Sequence, residues 1–301
     1  RTLGIANVVK PDTSSTEEDL AHVRGQLLPR RGLCVAAAGW HNLLMVGPPG
    51  TGKSTLARCL PGILPDPSND ELLEIARIAS VTGASLMLKR PFRAPHHTAS
   101  PASIVGGGTR PQPGELTRAH HGVLFLDELP EFASSTLESL REPLERDEVV
   151  IARVSGRVRF PARVLLVAAM NSTHRGGRWG RQQCAINRIS RPLLDRIDLQ
   201  IEVPSLSAEQ ISRPPSGLSS EEVRQQIEAA WRTQYRRGQP ALNGRLGTRD
   251  LDTYAEMAED ASLLLQRAVE DLGLSVRAWD RIRGVARAVA DLEEAEGIEV
   301  A

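Results

Sequence analysis

Aromatic residues are scarce, with four Phe, four Trp and two Tyr among 301 positions. The core must therefore be built from Leu, Ile, Val and Ala, which suits helices packed on a sheet. Cysteine is scarce too: Cys34, Cys59 and Cys184 are odd in number and far apart. That pattern excludes a disulfide framework and points to a reducing compartment. No apolar run reaches the length of a bilayer span and no signal-peptide pattern opens the chain, so a cytoplasmic protein without membrane association is expected. Net charge is absent, because 37 basic and 37 acidic residues cancel. The whole molecule is therefore not a polycation that would bind any nucleic acid.

Two local absences are more informative. Lysine occurs only at positions 10, 53 and 89 although arginine is abundant. From Val149 through Leu194 there is no Asp or Glu, yet Arg153, Arg157, Arg159, Arg163, Arg175, Arg178, Arg181, Arg188 and Arg191 all fall there. A local basic surface is expected from this stretch.

What is present reads first as a buried strand, a Gly-rich turn and a helix. Leu43 to Val46 is a short apolar run, followed by Gly47, Pro48, Pro49, Gly50, Thr51, Gly52, Lys53, Ser54 and Thr55. The helix that follows is expected to stop before Pro61. In this context the loop places backbone N–H groups around phosphates, with Lys53 at the β- and γ-phosphates and the Ser54 hydroxyl on magnesium. The compact lysine ammonium fits among phosphates where a planar guanidinium would not. ATP and Mg²⁺ are the cofactors this predicts.

Two further runs, Val123 to Leu126 and Val164 to Ala169, lack alternation and read as strands buried on both faces of a parallel α/β sheet. The first ends in Asp127 and Glu128, placed to hold magnesium and to polarise the attacking water. The second ends at Asn171, which would lie beside Asp127 and orient that water. Arg196 and Arg277 are candidate cations for a phosphoryl-transfer transition state.

Residues 1–22 read as linker, 23–205 as the α/β core and 206–301 as a helical region. Within the last, Ser219 with Glu222 forms a capping box, and Ser275 caps a helix whose apolar stripe is Trp279, Ile282, Ala286, Val289 and Leu292. The Gly- and Pro-rich segment from Pro91 to Gly122 reads as a functional insertion. Runs flanking Ser155 and Gly156 predict a β-hairpin whose Arg153, Arg157 and Arg159 would grip nucleic-acid phosphates without reading sequence. His96 with His97, and His120 with His121, are expected to point in different directions, and no Cys/His spacing resembles a zinc site.

On these motifs the chain resembles the magnesium-chelatase-like AAA+ ATPases, most closely the competence-linked ComM family, also called YifB. The resemblance runs from about Asp19 to Ala301. It is carried by Val23-Arg24-Gly25-Gln26, Ala36-Ala37-Ala38-Gly39 with His41-Asn42-Leu43-Leu44, and Arg90-Pro91-Phe92-Arg93-Ala94-Pro95-His96-His97. Leu126-Asp127-Glu128-Leu129-Pro130-Glu131-Phe132, Leu193-Leu194-Asp195-Arg196-Ile197-Asp198-Leu199 and Leu274-Ser275-Val276-Arg277-Ala278-Trp279 extend it.

The resemblance implies a three-layer α/β/α P-loop core followed by a helical lid, assembled into a ring, usually a hexamer, with nucleotide between neighbours. It makes Asn171 the sensor-1 residue, Arg196 an arginine finger acting on the adjacent subunit and Arg277 the sensor-2 arginine. It also makes Pro91 to Gly122 the helix-2 insertion and Val149 to Pro161 the pre-sensor-1 hairpin, both facing the pore. ComM-like proteins imply branch migration of DNA during homologous recombination of transforming DNA, with single- or double-stranded DNA or junctions as partners. The alternative is a protein-remodelling motor like the magnesium chelatase ATPase subunit. Such families normally carry an amino-terminal Lon-protease-like domain, of which residues 1–22 would be the linker. Relatives also tend to have Asn-Pro and several cysteines after sensor 1, where this chain has Asn171-Ser172 and Cys184.

Overall fold

Strand β1 (Leu43–Gly47), β5 (Val123–Leu126) and β8 (Leu165–Asn171) are buried along their length, apart from the exposed Asn171. Residues without alternation must be covered on both faces, so these strands sit in the middle of a layered sheet. In this computed structural model, which describes residues 18–86, 88–109, 111–153, 156–172, 189–215 and 217–300, they form a five-stranded sheet in the order β2-β5-β8-β1-β9, and each neighbouring pair is parallel. Its two edge strands, β2 (Phe92–Arg93) and β9 (Leu199–Glu202), are not marked by apolar runs, and β3 (Gly106–Gly107) pairs with β4 (Gln112–Pro113) outside this sheet. β2 has only two residues, and β9 alternates because one face of an edge strand is less covered.

One core cluster joins Leu33, Ala36 and Ala37 of the Leu27–Gly39 helix to Leu56 and Leu60 of the Lys53–Ile63 helix and to one face of the sheet. The same cluster takes Val223, Ile227, Ala230 and Trp231 from the Ser220–Arg236 helix. The first long helix of the carboxyl-terminal region is thus part of the main core. Leu116, Leu137, Leu144, Val149 and Ile151 cover the other face. A small separate cluster, Leu251, Ala255, Ala261 and Ile298, closes the carboxyl-terminal end. Residues before Val23 join the fold: Leu20 is buried and its N–H donates to the Ser220 hydroxyl at 2.8 Å.

Two local expectations are corrected. The helix after the Gly-rich loop does not stop before Pro61 but runs through it to Ile63. Proline forfeits one helical bond in that last turn, while Leu64 N–H still closes onto the Leu60 carbonyl at 3.0 Å and Leu60 and Ile63 are fully buried. The Val276–Leu292 helix is capped by Ser275 as expected, but its buried face is not the apolar stripe. Arg283, Arg287 and Asp291 are buried instead, and Ile282 is exposed. Arg287 bonds Asp291 at 3.1 Å and the carbonyls of Ala295 and Glu296, and Arg283 bonds Asp252 at 2.8 Å. Arg287 and Asp291 are one turn apart on this helix, but the groups that bind these buried side chains from outside it, among them Asp252, Ala295, Glu296, Arg237 and Asn243, lie where periodicity gives no sign of them.

The hairpin forms as β6 (Glu148–Arg153) against β7 (Gly156–Pro161), antiparallel. Residues 1–17 of the expected linker, the turn residue Ser155, the Arg153 side chain, Arg175, Arg178, Arg181, Arg188 and Cys184 lie outside the described residues.

Arg90 fastens the Asn69–Thr82 helix to the core. Its guanidinium is buried and donates to the Pro65 carbonyl at 2.6 Å, the His121 carbonyl at 2.8 Å and Glu71 at 3.0 Å, while lying over the rings of Trp40 and Trp231. Glu71 is half-buried and also faces His121 at 3.3 Å, so removing Arg90 chiefly leaves the Pro65 and His121 carbonyls without their donor, at a cost of about 2 kcal/mol. Arg90→Met is expected to lower unfolding stability by that amount in urea titration, and a loss below about 1 kcal/mol would mean that these carbonyls do not depend on Arg90.

Candidate functional site

The loop after β1 is shaped by two glycines in left-handed conformation, Gly50 at φ 77° and Gly52 at φ 88°. A side chain at either would be strained even though the space beside both is open. Gly47 is required for a different reason, since a β-carbon there would meet the Val203 carbonyl oxygen at 2.1 Å. The loop therefore lies directly against the end of the sheet. Lys53 opens the next helix and is buried, donating to the carbonyls of Gly47 at 2.9 Å and Pro48 at 2.7 Å. Burial pushes its ammonium below the ordinary lysine range, opposed by the charge of Asp127.

Ser54 Oγ donates to Asp127 Oδ2 at 2.7 Å, joining the loop helix to the end of β5. The other oxygen of Asp127 accepts the N–H of Glu128 at 2.9 Å. Asn171, at the end of β8, pairs in register with Gly47, and the next residue, Ser172, donates its N–H to the Gly47 carbonyl at 2.9 Å. Parallel pairing thus brings Lys53, Ser54, Asp127, Glu128 and Asn171 to one edge of the sheet, at the carboxyl ends of its strands. The donor set fits a magnesium–nucleotide complex: two hard oxygens side by side, a buried lysine with a third N–H to spare, and a loop that only glycine permits.

Beside the loop is a cavity of about 520 Å³ lined by Gly25, Leu27, Leu28, Pro204, Leu206 and Gln210, among others. Leu27 and Leu28 are exposed at 80% and 66%, an unusual state for adjacent leucines that gives the cavity an apolar rim. Gln26, itself at φ 52°, ties the cavity to the loop by donating to the carbonyls of Thr51 at 3.2 Å and Pro204 at 2.8 Å. Sequence reasoning missed this pocket as a site. Its one signal was the Val23-Arg24-Gly25-Gln26 segment.

Glu128 adopts φ 52° and its carboxylate lies 3.4 Å from His97 Nδ1, just past the end of β2. β2 and the phosphate loop lie on opposite sides of β5 in the sheet, so this pairing turns Glu128 away from Lys53.

Arg196 and Arg277 are brought to each other but not to Lys53. Asn42, which precedes β1, accepts the N–H groups of Asp198 and Leu199 at 3.0 Å and donates to the Arg196 carbonyl at 2.7 Å. Arg196 therefore sits at the amino ends of the strands. β1 alone separates the two ends by about 15 Å over its five residues. Arg277 is beside Arg196, since both approach Glu145, at 3.9 Å and 2.5 Å.

The paired histidines also differ from expectation. Their rings lie side by side, at 4.0 Å for His96 and His97 and 3.9 Å for His120 and His121. His121 achieves this with φ 58°, which folds its ring back over His120. Both reach the same oxygen of Glu74, at 2.8 Å and 2.7 Å. Three potential metal ligands converge here, but His120 Nδ1 accepts the N–H of Arg163 at 2.9 Å. That bond leaves the ring proton on Nε2, where it is donated to Glu74, whereas a ligating Nε2 needs its lone pair free. The cluster is a hydrogen-bonded clamp.

On the hairpin, Val149, Ile151, Val158 and Phe160 share the inner face, and Val150, Ala152, Arg157 and Arg159 share the outer one. Arg157 and Arg159 are exposed, and Arg159 lies 3.7 Å from Glu148.

Two family descriptions match the chain: "Magnesium chelatase, subunit ChlI" over residues 19–211 and "Magnesium chelatase, subunit ChlI C-terminal" over residues 217–301. The protein YifB of Salmonella typhimurium is 46% identical over 293 residues, covering 93% of this chain and 58% of its own. Competence protein ComM of Haemophilus influenzae is 43% identical over 288 residues, covering 91% and 56%. The magnesium-chelatase 38 kDa subunit of Cereibacter sphaeroides is 27% identical over 190 residues, covering 56% and 52%. The chain spans about 58% of the length of its YifB relative.

The Glu74 clamp predicts an acid dependence. Hydrogen bonds from His120 and His121 hold the Glu74 carboxyl below its ordinary 4.5, and burial holds His120 below 6.5. In the unfolded chain both groups bind protons at higher pH, so each contributes stability that is complete above its ordinary value and lost as pH falls through the lower folded value. The thermal midpoint should fall first below 6.5 and again below 4.5, and Glu74→Gln should shrink the second loss. Identical pH profiles for the two proteins would contradict the clamp.

Proposed function

The chain belongs to the magnesium chelatase subunit ChlI family of AAA+ ATPases, and from that premise we propose that it hydrolyses ATP between copies of itself to move along DNA. The hydrolytic part is supported by the buried Lys53 and the 2.7 Å bond between Ser54 and Asp127. The ammonium of Lys53 and the N–H groups of Gly50 to Ser54 would hold the phosphates, and Ser54 and Asp127 would hold magnesium. The apolar cavity rimmed by Leu27 and Leu28 would take the adenine base. Bound Mg²⁺ would supply charge neutralisation at the phosphate oxygens.

Glu128 would leave His97, accept a proton from the attacking water and raise that water's nucleophilicity as it meets the γ-phosphate; Asn171 would fix the water's orientation. Arg196 and Arg277 lie too far from their own loop to reach these phosphates. They would serve the loop of a neighbouring copy, in a head-to-tail contact that closes into a ring, a hexamer in this reading. The regions 23–205 and 206–301 would then act as nucleotide-binding core and lid.

The DNA part is carried by one observation: the hairpin presents Arg157 and Arg159 on its exposed outer face within an acid-free stretch. Guanidinium groups displayed this way bind backbone phosphates of either strand form without reading bases. The competence protein ComM among the relatives favours DNA over a protein substrate, and branch migration during recombination is the activity proposed.

The test is ATP hydrolysis with and without single- and double-stranded DNA, together with migration of a synthetic junction, for wild type and Glu128→Gln. DNA should raise hydrolysis, added salt should weaken binding steeply, and Glu128→Gln should bind nucleotide but turn over at least about a hundredfold more slowly. Hydrolysis indifferent to DNA and raised by a partner protein would replace this reading with a protein-remodelling motor.

A further inference from the structure

We infer that Glu145 is the positioning residue for the arginine pair, holding Arg196 and Arg277 side by side as a receptor for a phosphate presented by a neighbouring copy. This rests on the proposal that the two arginines act across a subunit contact. Glu145 reaches Arg196 Nη2 with one carboxylate oxygen at 2.5 Å and Arg277 Nη2 with the other at 3.9 Å. Two guanidinium groups brought together without a carboxylate would repel, and their long side chains would splay apart.

The charge count around Glu145 points outward. All three residues line a cavity of about 440 Å³ at the amino ends of the strands. The other acids along it are engaged elsewhere: Asp147 with Arg245 at 3.3 Å, Asp195 with Arg281 at 3.9 Å, Asp198 with the Asn42 N–H at 3.1 Å and Asp280 with the Thr248 hydroxyl at 2.7 Å. Asp147 and Asp195 are thus matched by arginines, while Asp198 and Asp280 are held by neutral donors. Within the Glu145–Arg196–Arg277 group itself one carboxylate is shared by two cations, which leaves that group with a positive charge. Glu145 meets each guanidinium through Nη2, whereas a guanidinium has five N–H donors arranged for planar oxyanions. Arg196 Nε is buried without a hydrogen-bond partner, and Arg277 is 48% exposed at the cavity edge. An incoming phosphate can then bind without displacing Glu145.

The placement of Glu145 also links this receptor to the hairpin. It occupies the last turn of the Arg141–Arg146 helix, which passes through Asp147, in left-handed conformation, directly into β6. A shift of the hairpin would carry Glu145 with it.

The experiment is steady-state ATP hydrolysis by Glu145→Gln, Glu145→Asp and Arg196→Ala, each alone and mixed in equal amounts with Lys53→Ala. Glu145→Gln should lower kcat about tenfold with KM within about twofold, at an unchanged thermal midpoint because Glu145 is half exposed. Glu145→Asp, which keeps the charge, should fall between. Mixing Glu145→Gln with Lys53→Ala should restore turnover above the sum of the two, because intact arginines of one variant then face the intact loop of the other.

Full activity of Glu145→Gln would overturn the inference. So would a kcat that tracks thermal stability, or a Glu145→Gln mixture that stays inactive while the Arg196→Ala mixture recovers, since Glu145 would then act on its own subunit. If the Arg196→Ala mixture also stays inactive, the shared-site reading itself fails, and the role of Glu145 with it.

Discussion

The hydrogen bond from Ser54 to Asp127 is the contact on which the rest of the site depends. It links two strands that are not neighbours, because β8 lies between β1 and β5. For the bond to form, all three strands must be parallel and in register, and the loop after β1 must turn back over their ends. The left-handed Gly50 and Gly52 make that turn, and Gly47 lets the loop lie against Val203. The buried layers on both faces of the sheet are what keep the register fixed. A fold built for stability alone would have no need to place a serine hydroxyl and a carboxylate together at the edge of the sheet.

The same parallel order divides the candidate residues into two groups. Lys53, Ser54, Asp127, Glu128 and Asn171 gather at the carboxyl ends of the strands, and Arg196 with Arg277 at the amino ends. The separation is set by strand length, so no side-chain rotation can bridge it. Under the proposed function, a second copy in a head-to-tail arrangement would join the two groups, each chain contributing one half of a shared site.

The phosphate loop, Asp127 with Glu128 and Asn171 were legible in the sequence because each follows a strand buried on both faces, and such strands announce themselves as unbroken apolar runs. The hairpin was legible from its turn signal between two valine-rich runs. β2 and β9 were not, being too short or too exposed at an edge to form a run. The buried Arg283, Arg287 and Asp291 were hidden because their burial depends on partners that the fold supplies. The approach of His97 to Glu128 depends on β2 pairing with β5, and the convergence of His120 and His121 on Glu74 depends on a positive φ at His121. Neither can be read from adjacent letters in the sequence.

If Ser54 and Asp127 hold the metal as proposed, magnesium should strengthen nucleotide binding through this pair. Calorimetric titration of a non-hydrolysable ATP analogue, with and without Mg²⁺, tests this directly on wild type, Ser54→Ala and Asp127→Asn. Wild type should bind at least about tenfold more tightly with Mg²⁺, and both variants should lose that gain while still binding the metal-free analogue. Variants that keep the full magnesium effect would show that the pair does not hold the metal.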